Sequence, residues 1–131
     1  MGKSQRDKGA GGEREVAQII RAFGGFMARR GQVFNGEPDI VCPELPIHFE
    51  VKRCEKIELH AWWKQACEAC GDKYPAVVYR QSYHPWTIVM RARDFLALTC
   101  GDPITETPFQ ISMKFDEFMI LLKEVMGDEE K

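Results

Sequence analysis

Pro38-Asp39-Ile40-Val41-Cys42-Pro43-Glu44-Leu45-Pro46-Ile47-His48-Phe49-Glu50-Val51-Lys52-Arg53 is the stretch on which the fold turns. Ile47, Phe49 and Val51 alternate with His48, Glu50 and Lys52, the period-2 pattern of a strand with one apolar and one polar face. Residues 39–42 read as a shorter strand ahead of it, with 43–46 as a four-residue loop between the two. If that loop closes a symmetric hairpin, Cys42 pairs with Ile47 and Asp39 lies opposite Glu50. Directly opposed like charges destabilise a sheet. A divalent cation reverses the sign of that interaction, and carboxylates, carbonyls and waters are the ligands of Mg²⁺ or Mn²⁺. Such a cation polarises a phosphoryl oxygen and acidifies a bound water, while Lys52 supplies a compact charge on the same face as Glu50.

Outward from this core, Val16, Ile19, Ile20 and Phe23 recur at helical spacing and predict a helix over 12–23. Glu13 and Glu15 fall in its expected first turn, and Gly24-Gly25 stops it. Residues 26–34 read as a strand, followed by an Asn35-Gly36 turn. After the polar-faced strand come a helix at 58–71 (Leu59, Trp62, Ala66 and Cys70 on one side) and strands at 76–79 and 86–90. Asp94 is placed as the cap of a short helix over 95–98, 101–108 as a loop, and Phe115, Phe118, Met119 and Leu122 on a last amphipathic helix. The reading is one α/β domain over 11–126 with a mixed sheet flanked by helices, a flexible basic arm at 1–10 and an acidic tail at 127–131.

The bulk numbers bound this picture. The chain has 131 residues, 44% of them hydrophobic and 29% charged, too apolar for a disordered chain. It has no apolar run of the ~18–20 residues that a membrane span needs and no secretory h-region, so no membrane partner is expected. Five cysteines, an odd number, point to free thiols in a reducing, cytoplasmic compartment. The net charge of −2 averages unlike parts: residues 1–30 hold seven basic against three acidic residues, while 116–131 hold two against six. A near-neutral total therefore does not exclude DNA. It puts the phosphate track on the N-terminal side.

Three motifs together resemble the PD-(D/E)XK nuclease superfamily, most closely its archaeal-type Holliday-junction resolvases. They are Pro38-Asp39 with Glu50-Val51-Lys52, the segment Lys8-Gly9-Ala10-Gly11-Gly12-Glu13-Arg14-Glu15-Val16, and Gly25-Phe26-Met27-Ala28-Arg29-Arg30. The resemblance implies a restriction-endonuclease-like fold and hydrolysis of DNA phosphodiesters with Mg²⁺, Mn²⁺ substituting. It implies Glu13, Asp39, Glu50 and the Val51 carbonyl as metal ligands and Lys52 as the catalytic lysine. Arg30 and Arg14, with Arg29 and Lys8, would meet phosphate. It further implies a homodimer on a four-way junction, in a host cytoplasm if the chain is a phage-encoded relative. The stretch 31–37 departs from the Gly-Ser stretch usual there, which bears on junction specificity. Alternatives within the fold are a nuclease for flaps, nicks or forks, or a non-catalytic nucleic-acid-binding module.

Other signals carry less. Cys67-x-x-Cys70 lacks the second compact pair that a zinc site needs, so zinc is not expected and the thiols read as small core-facing residues. Trp62 and Trp63 are adjacent, so one is expected in the core and the other partly exposed. His48 shares the face of Glu50 and Lys52, where it is either near the site or solvated. Gln65 sits where several branches of the superfamily carry a Gln, and is otherwise a solvated helical residue.

Overall fold

A computed structural model describes residues 2–101 and 109–127, with side chains at 10–32, 34–101 and 109–126. In chain order the elements are α1 (Gly2–Ile19), a π-helical turn (Ile20–Gly24), β1 (Arg29–Arg30), a 3-10 turn (Val33–Asn35), β2 (Ile40–Val41) and β3 (Ile47–Arg53). There follow α2 (Leu59–Ala69), β4 (Tyr74–Arg80), β5 (Thr87–Arg91), α3 (Ala92–Cys100), β6 (Gln110–Lys114) and α4 (Phe115–Gly127). The main sheet has the order β3-β4-β5-β6, and β1 and β2 form a separate antiparallel pair. β3 and β4 are parallel, joined through α2, while β4–β5 and β5–β6 are antiparallel. The expected class holds: a mixed α/β domain with a mixed sheet and helices on both faces.

The alternation in β3 decides which helix meets which face. Phe49 and Val51 lie beside Ala76 and Val78 of β4, and this face packs on Val16 of α1, Ile20 of the π-helical turn and Phe115, Phe118 and Leu122 of α4. Phe49 and Phe115 meet edge to face at 5.9 Å, a geometry favoured by the ring quadrupoles. On the other face, Val77 and Tyr79 are covered by Trp62 and Ala66 of α2. Glu50 is level with Val77 and Lys52 with Tyr79, so the polar residues of β3 share the α2 side. Of the adjacent pair, Trp62 is in the core, and Trp63 is only partly buried against the same cluster.

Several expectations are corrected. The hairpin between residues 39–42 and 47–53 does not form: β2 pairs with β1, and β3 takes β4 as its parallel partner. Proximity along the chain across 43–46 is outweighed by the longer, more apolar edge that β4 offers. The strand expected at 26–34 shrinks to Arg29–Arg30 and gives way to a 3-10 turn. Helix α1 begins at Gly2, so the expected arm lies within it and Glu13 and Glu15 sit mid-helix, not in a first turn; no proline interrupts the segment. The helix does stop where expected: Gly25 takes φ 73° and its N–H bonds the Arg21 carbonyl at 3.1 Å. Asp94 is not a cap. It is buried in the first turn of α3, accepting from Arg91 Nε at 2.8 Å. β6 was not expected, although Ile111 and Met113 alternate with Gln110, Ser112 and Lys114. The loop assigned to 101–108 and the tail lie, beyond Gly101 and Gly127, outside the described residues. None of the five cysteines is joined in a disulfide; Cys42 is buried, but Cys67 is exposed and Cys70 half-buried, not core-facing. No helix among the described residues is long and apolar enough to cross a membrane.

Candidate active site

An edge strand leaves backbone groups without a ladder partner, and β3 is an edge of the four-stranded sheet. The chain answers that need with a side chain. The Val51 N–H donates to Asp39 Oδ2 at 2.9 Å, so Asp39 is brought beside Glu50 without a hairpin. The backbone ahead of Asp39 is fixed in turn: Gly31 N–H donates to the Asp39 carbonyl at 2.8 Å. A Cβ on Gly31 would come within 1.6 Å of the Pro38 carbonyl oxygen, so glycine is required there by close approach.

Glu50 is held from both sides. His48 Nε2 lies 3.2 Å from Glu50 Oε1, and Lys52 Nζ lies 3.6 Å from Glu50 Oε2. Burial pushes the Glu50 carboxyl up, but the His48 hydrogen bond and the Lys52 charge more than offset it, and the net shift is downward. Asp39 goes the other way. Burial, followed by the negative charges of Glu50 and Glu13, outweighs the Val51 hydrogen bond and the Lys52 charge, and its pKa is pushed up to about 6. Two half-buried carboxylates, with the charge of Glu50 raising the cost of ionising Asp39, are a hard-oxygen donor set that a divalent cation would stabilise.

Glu13 is placed differently. Its Oε2 accepts from Arg30 Nε at 2.9 Å, and among the described residues no three His, Cys, Asp or Glu side chains are gathered as a ready cation cage. Glu13 is close enough to act on Asp39 by charge. Arg29 makes a two-pronged pair with Glu37, at 3.0 and 2.6 Å, and Glu37 also accepts the Gln32 N–H at 3.0 Å. These bonds, the Arg29 one first, hold the Glu37 carboxyl at about 2. Arg14 is exposed, with no ion pair among the described residues. The Lys8 side chain lies outside the described ones. Gln65 is exposed on α2.

Asp39, His48 and Glu50 line an open cleft of about 460 Å³ with Gly36, Glu37, Cys70 and Lys73 among its other walls. Sequence reading left out Gly31, Glu37 and Lys73. The close approach of Gly31 to Pro38 has no sequence signature, and Glu37 was legible only as a neighbour of Pro38-Asp39. His48, left open between site and solvent, is in the site.

A family model described as Phage putative PDDEXK endonuclease matches residues 4–127. Among solved structures, Hjc, a Holliday junction resolvase from the archaeal hyperthermophile Archaeoglobus fulgidus, is similar over 88% of this chain and 96% of its own. It has a TM-score of 0.43 and 15% sequence identity. No curated protein matches.

Proposed function

The chain belongs to the phage putative PDDEXK endonuclease family, and on that premise we propose that it is a divalent-metal-dependent DNA endonuclease selective for branched DNA, foremost the four-way junction. One observation carries the catalytic reading: Asp39, raised to about 6, lies beside Glu50, which Lys52 approaches at 3.6 Å. Proteins of this family generally use divalent metal ions. Here Asp39, Glu50 and the Val51 carbonyl would hold the ion, with Glu13 joining once it leaves Arg30. Mg²⁺ is the expected ion and Mn²⁺ a substitute. A cation at these oxygens supplies charge for a phosphoryl oxygen and acidifies water.

The chain's own residues do the rest. Lys52 places a positive charge where charge grows on the phosphate, and its neighbour Glu50 keeps that ammonium in place. His48 fixes the other oxygen of Glu50. Arg30 and Arg14 on the basic N-terminal side meet phosphate, with Arg29 bracing the loop through Glu37. Arg30 trades Glu13 for a phosphate oxygen when DNA arrives. A four-way junction has near two-fold symmetry, so two sites acting on it call for a homodimer.

The test is a cleavage panel with Mg²⁺ on four-way junction, fork, flap, linear duplex and single strand. Paired symmetric nicks on the junction alone support the full reading. Cleavage of flaps or forks instead keeps the nuclease and removes the junction assignment. Binding with no cleavage of any substrate leaves a nucleic-acid-binding module.

A further inference from the structure

Phe34 is 98% exposed, at the 3-10 turn between β1 and β2. Its ring contributes nothing to the core, and the turn does not depend on it. Asn35 N–H donates to the Gln32 carbonyl at 3.1 Å, and Asn35 Nδ2 donates to Gln32 Oε1 at 2.7 Å. Glu37 N–H donates to the same Gln32 carbonyl at 3.3 Å, while Arg29 clamps the Glu37 carboxylate. A turn tied this thoroughly, with a bare aromatic at its tip, presents that ring to a ligand and not to the fold.

The position narrows what the ligand is. Gly36 and Glu37 of the same loop form the rim of the cleft that holds Asp39 and Glu50. Asp39 lies five positions after Phe34, at most about 18 Å of chain. That distance is a handful of nucleotide steps. Apart from Val33, the ring's chain neighbours are polar or small (Gln32, Asn35, Gly36, Glu37), unlike the apolar centre of a protein interface. An exposed ring on the loop that Arg29 braces through Glu37, near the cleft of a phosphate-cutting site, matches a nucleobase, because base–aromatic stacking needs one π-face and tolerates any sequence.

We infer that Phe34 is a specificity-determining residue that stacks on a base exposed at a break or branch in DNA, close to the phosphate held at Asp39 and Glu50. Continuous duplex offers no such face without the cost of unstacking a step, so selectivity for discontinuous DNA follows from this one side chain. The inference rests on the nuclease reading above and deepens it.

The experiment is run in EDTA, so that no strand is cut, on the full chain. Phe34→Ala, Phe34→Leu and Phe34→Trp are compared with the native protein on a gapped duplex carrying 2-aminopurine at the gap edge, and on its continuous counterpart. Anisotropy gives affinity, and 2-aminopurine emission reports stacking. The native protein and Phe34→Trp should prefer the gapped duplex and quench the probe. Phe34→Ala and Phe34→Leu should lose the quenching and about tenfold in affinity for it, with melting temperatures unchanged. Native-like binding and quenching by Phe34→Ala overturns the inference. So does full rescue by Phe34→Leu, which would mean apolar docking, or an altered sedimentation coefficient with DNA preference intact, which would mean a contact between copies. No arm depends on cleavage, so a failure of the hydrolytic reading, seen as Asp39→Asn leaving Mg²⁺-dependent cutting intact, is distinguishable from a failure here.

Discussion

Asp39 Oδ2 and the Val51 N–H are bonded at 2.9 Å across a gap of twelve residues in the chain. This bond, not strand pairing, sets the two central carboxylates side by side. It satisfies a backbone donor on an edge strand while placing a carboxylate next to Glu50. The arrangement is costly by itself, because Asp39 is half-buried among negative charges.

That cost makes a prediction about pH. Asp39 has a folded pKa of about 6 against 3.8 ordinarily, so between those values the folded chain binds more protons than the unfolded one. Stability of the metal-free protein therefore falls as pH rises from about 4 to 6, by up to about 3 kcal/mol for this group. Asp39→Asn keeps an acceptor for Val51 and removes the charge. Thermal melts without metal should show the variant more stable than the native protein above pH 7, and the two converging below pH 4. A variant that is less stable at pH 7 would contradict the placement.

Cation affinity runs in the opposite direction. Protons and metal compete for Asp39, so Mn²⁺ affinity, read by calorimetry without DNA, should rise as pH passes through about 6 and then level off. A flat profile would remove Asp39 from the donor set.

Gly31 sets the backbone under Asp39. Gly31→Ala forces its Cβ into the Pro38 carbonyl, at a cost of about 3 kcal/mol or more. Gly11→Ala is the contrast, since nothing lies within 4 Å of a Cβ there; mid-helix it should gain roughly 0.5–1 kcal/mol. Opposite shifts in melting temperature are expected from two formally identical substitutions.

Arg30→Ala removes the partner of Glu13 and, on the proposed function, one contact to phosphate. The salt dependence of DNA binding should lose a slope of about one, and cleavage should slow, with the far-UV spectrum unchanged. An unfolded variant would instead assign Arg30 to structure.

How much of this was legible in the sequence depended on the kind of signal. Local periodicity placed α2, β3, β4, β5 and α4, because burial of one face imposes it residue by residue. The face shared by His48, Glu50 and Lys52 followed directly from that alternation. Pairing was less readable: residues 39–42 and 47–53 looked like a hairpin, yet Ile47–Arg53 found its partner in Tyr74–Arg80, beyond a helix. Asp39 still reached Glu50 because a side-chain bond to Val51 replaced the ladder. β6 carried its alternation over five residues only, with no face fully buried. Glu13's attachment to Arg30 was not readable, since it depends on where α1 lies relative to β1.

The most direct test of the central claim is single-turnover cleavage of a branched DNA in Mg²⁺ by the native protein, Asp39→Asn and Lys52→Met. The native protein should cut only with the divalent ion. Asp39→Asn should bind the same DNA without cutting it, and Lys52→Met should cut on the order of 10²–10³-fold more slowly. Undiminished cutting by Asp39→Asn, or cutting by the native protein in EDTA, would contradict the account.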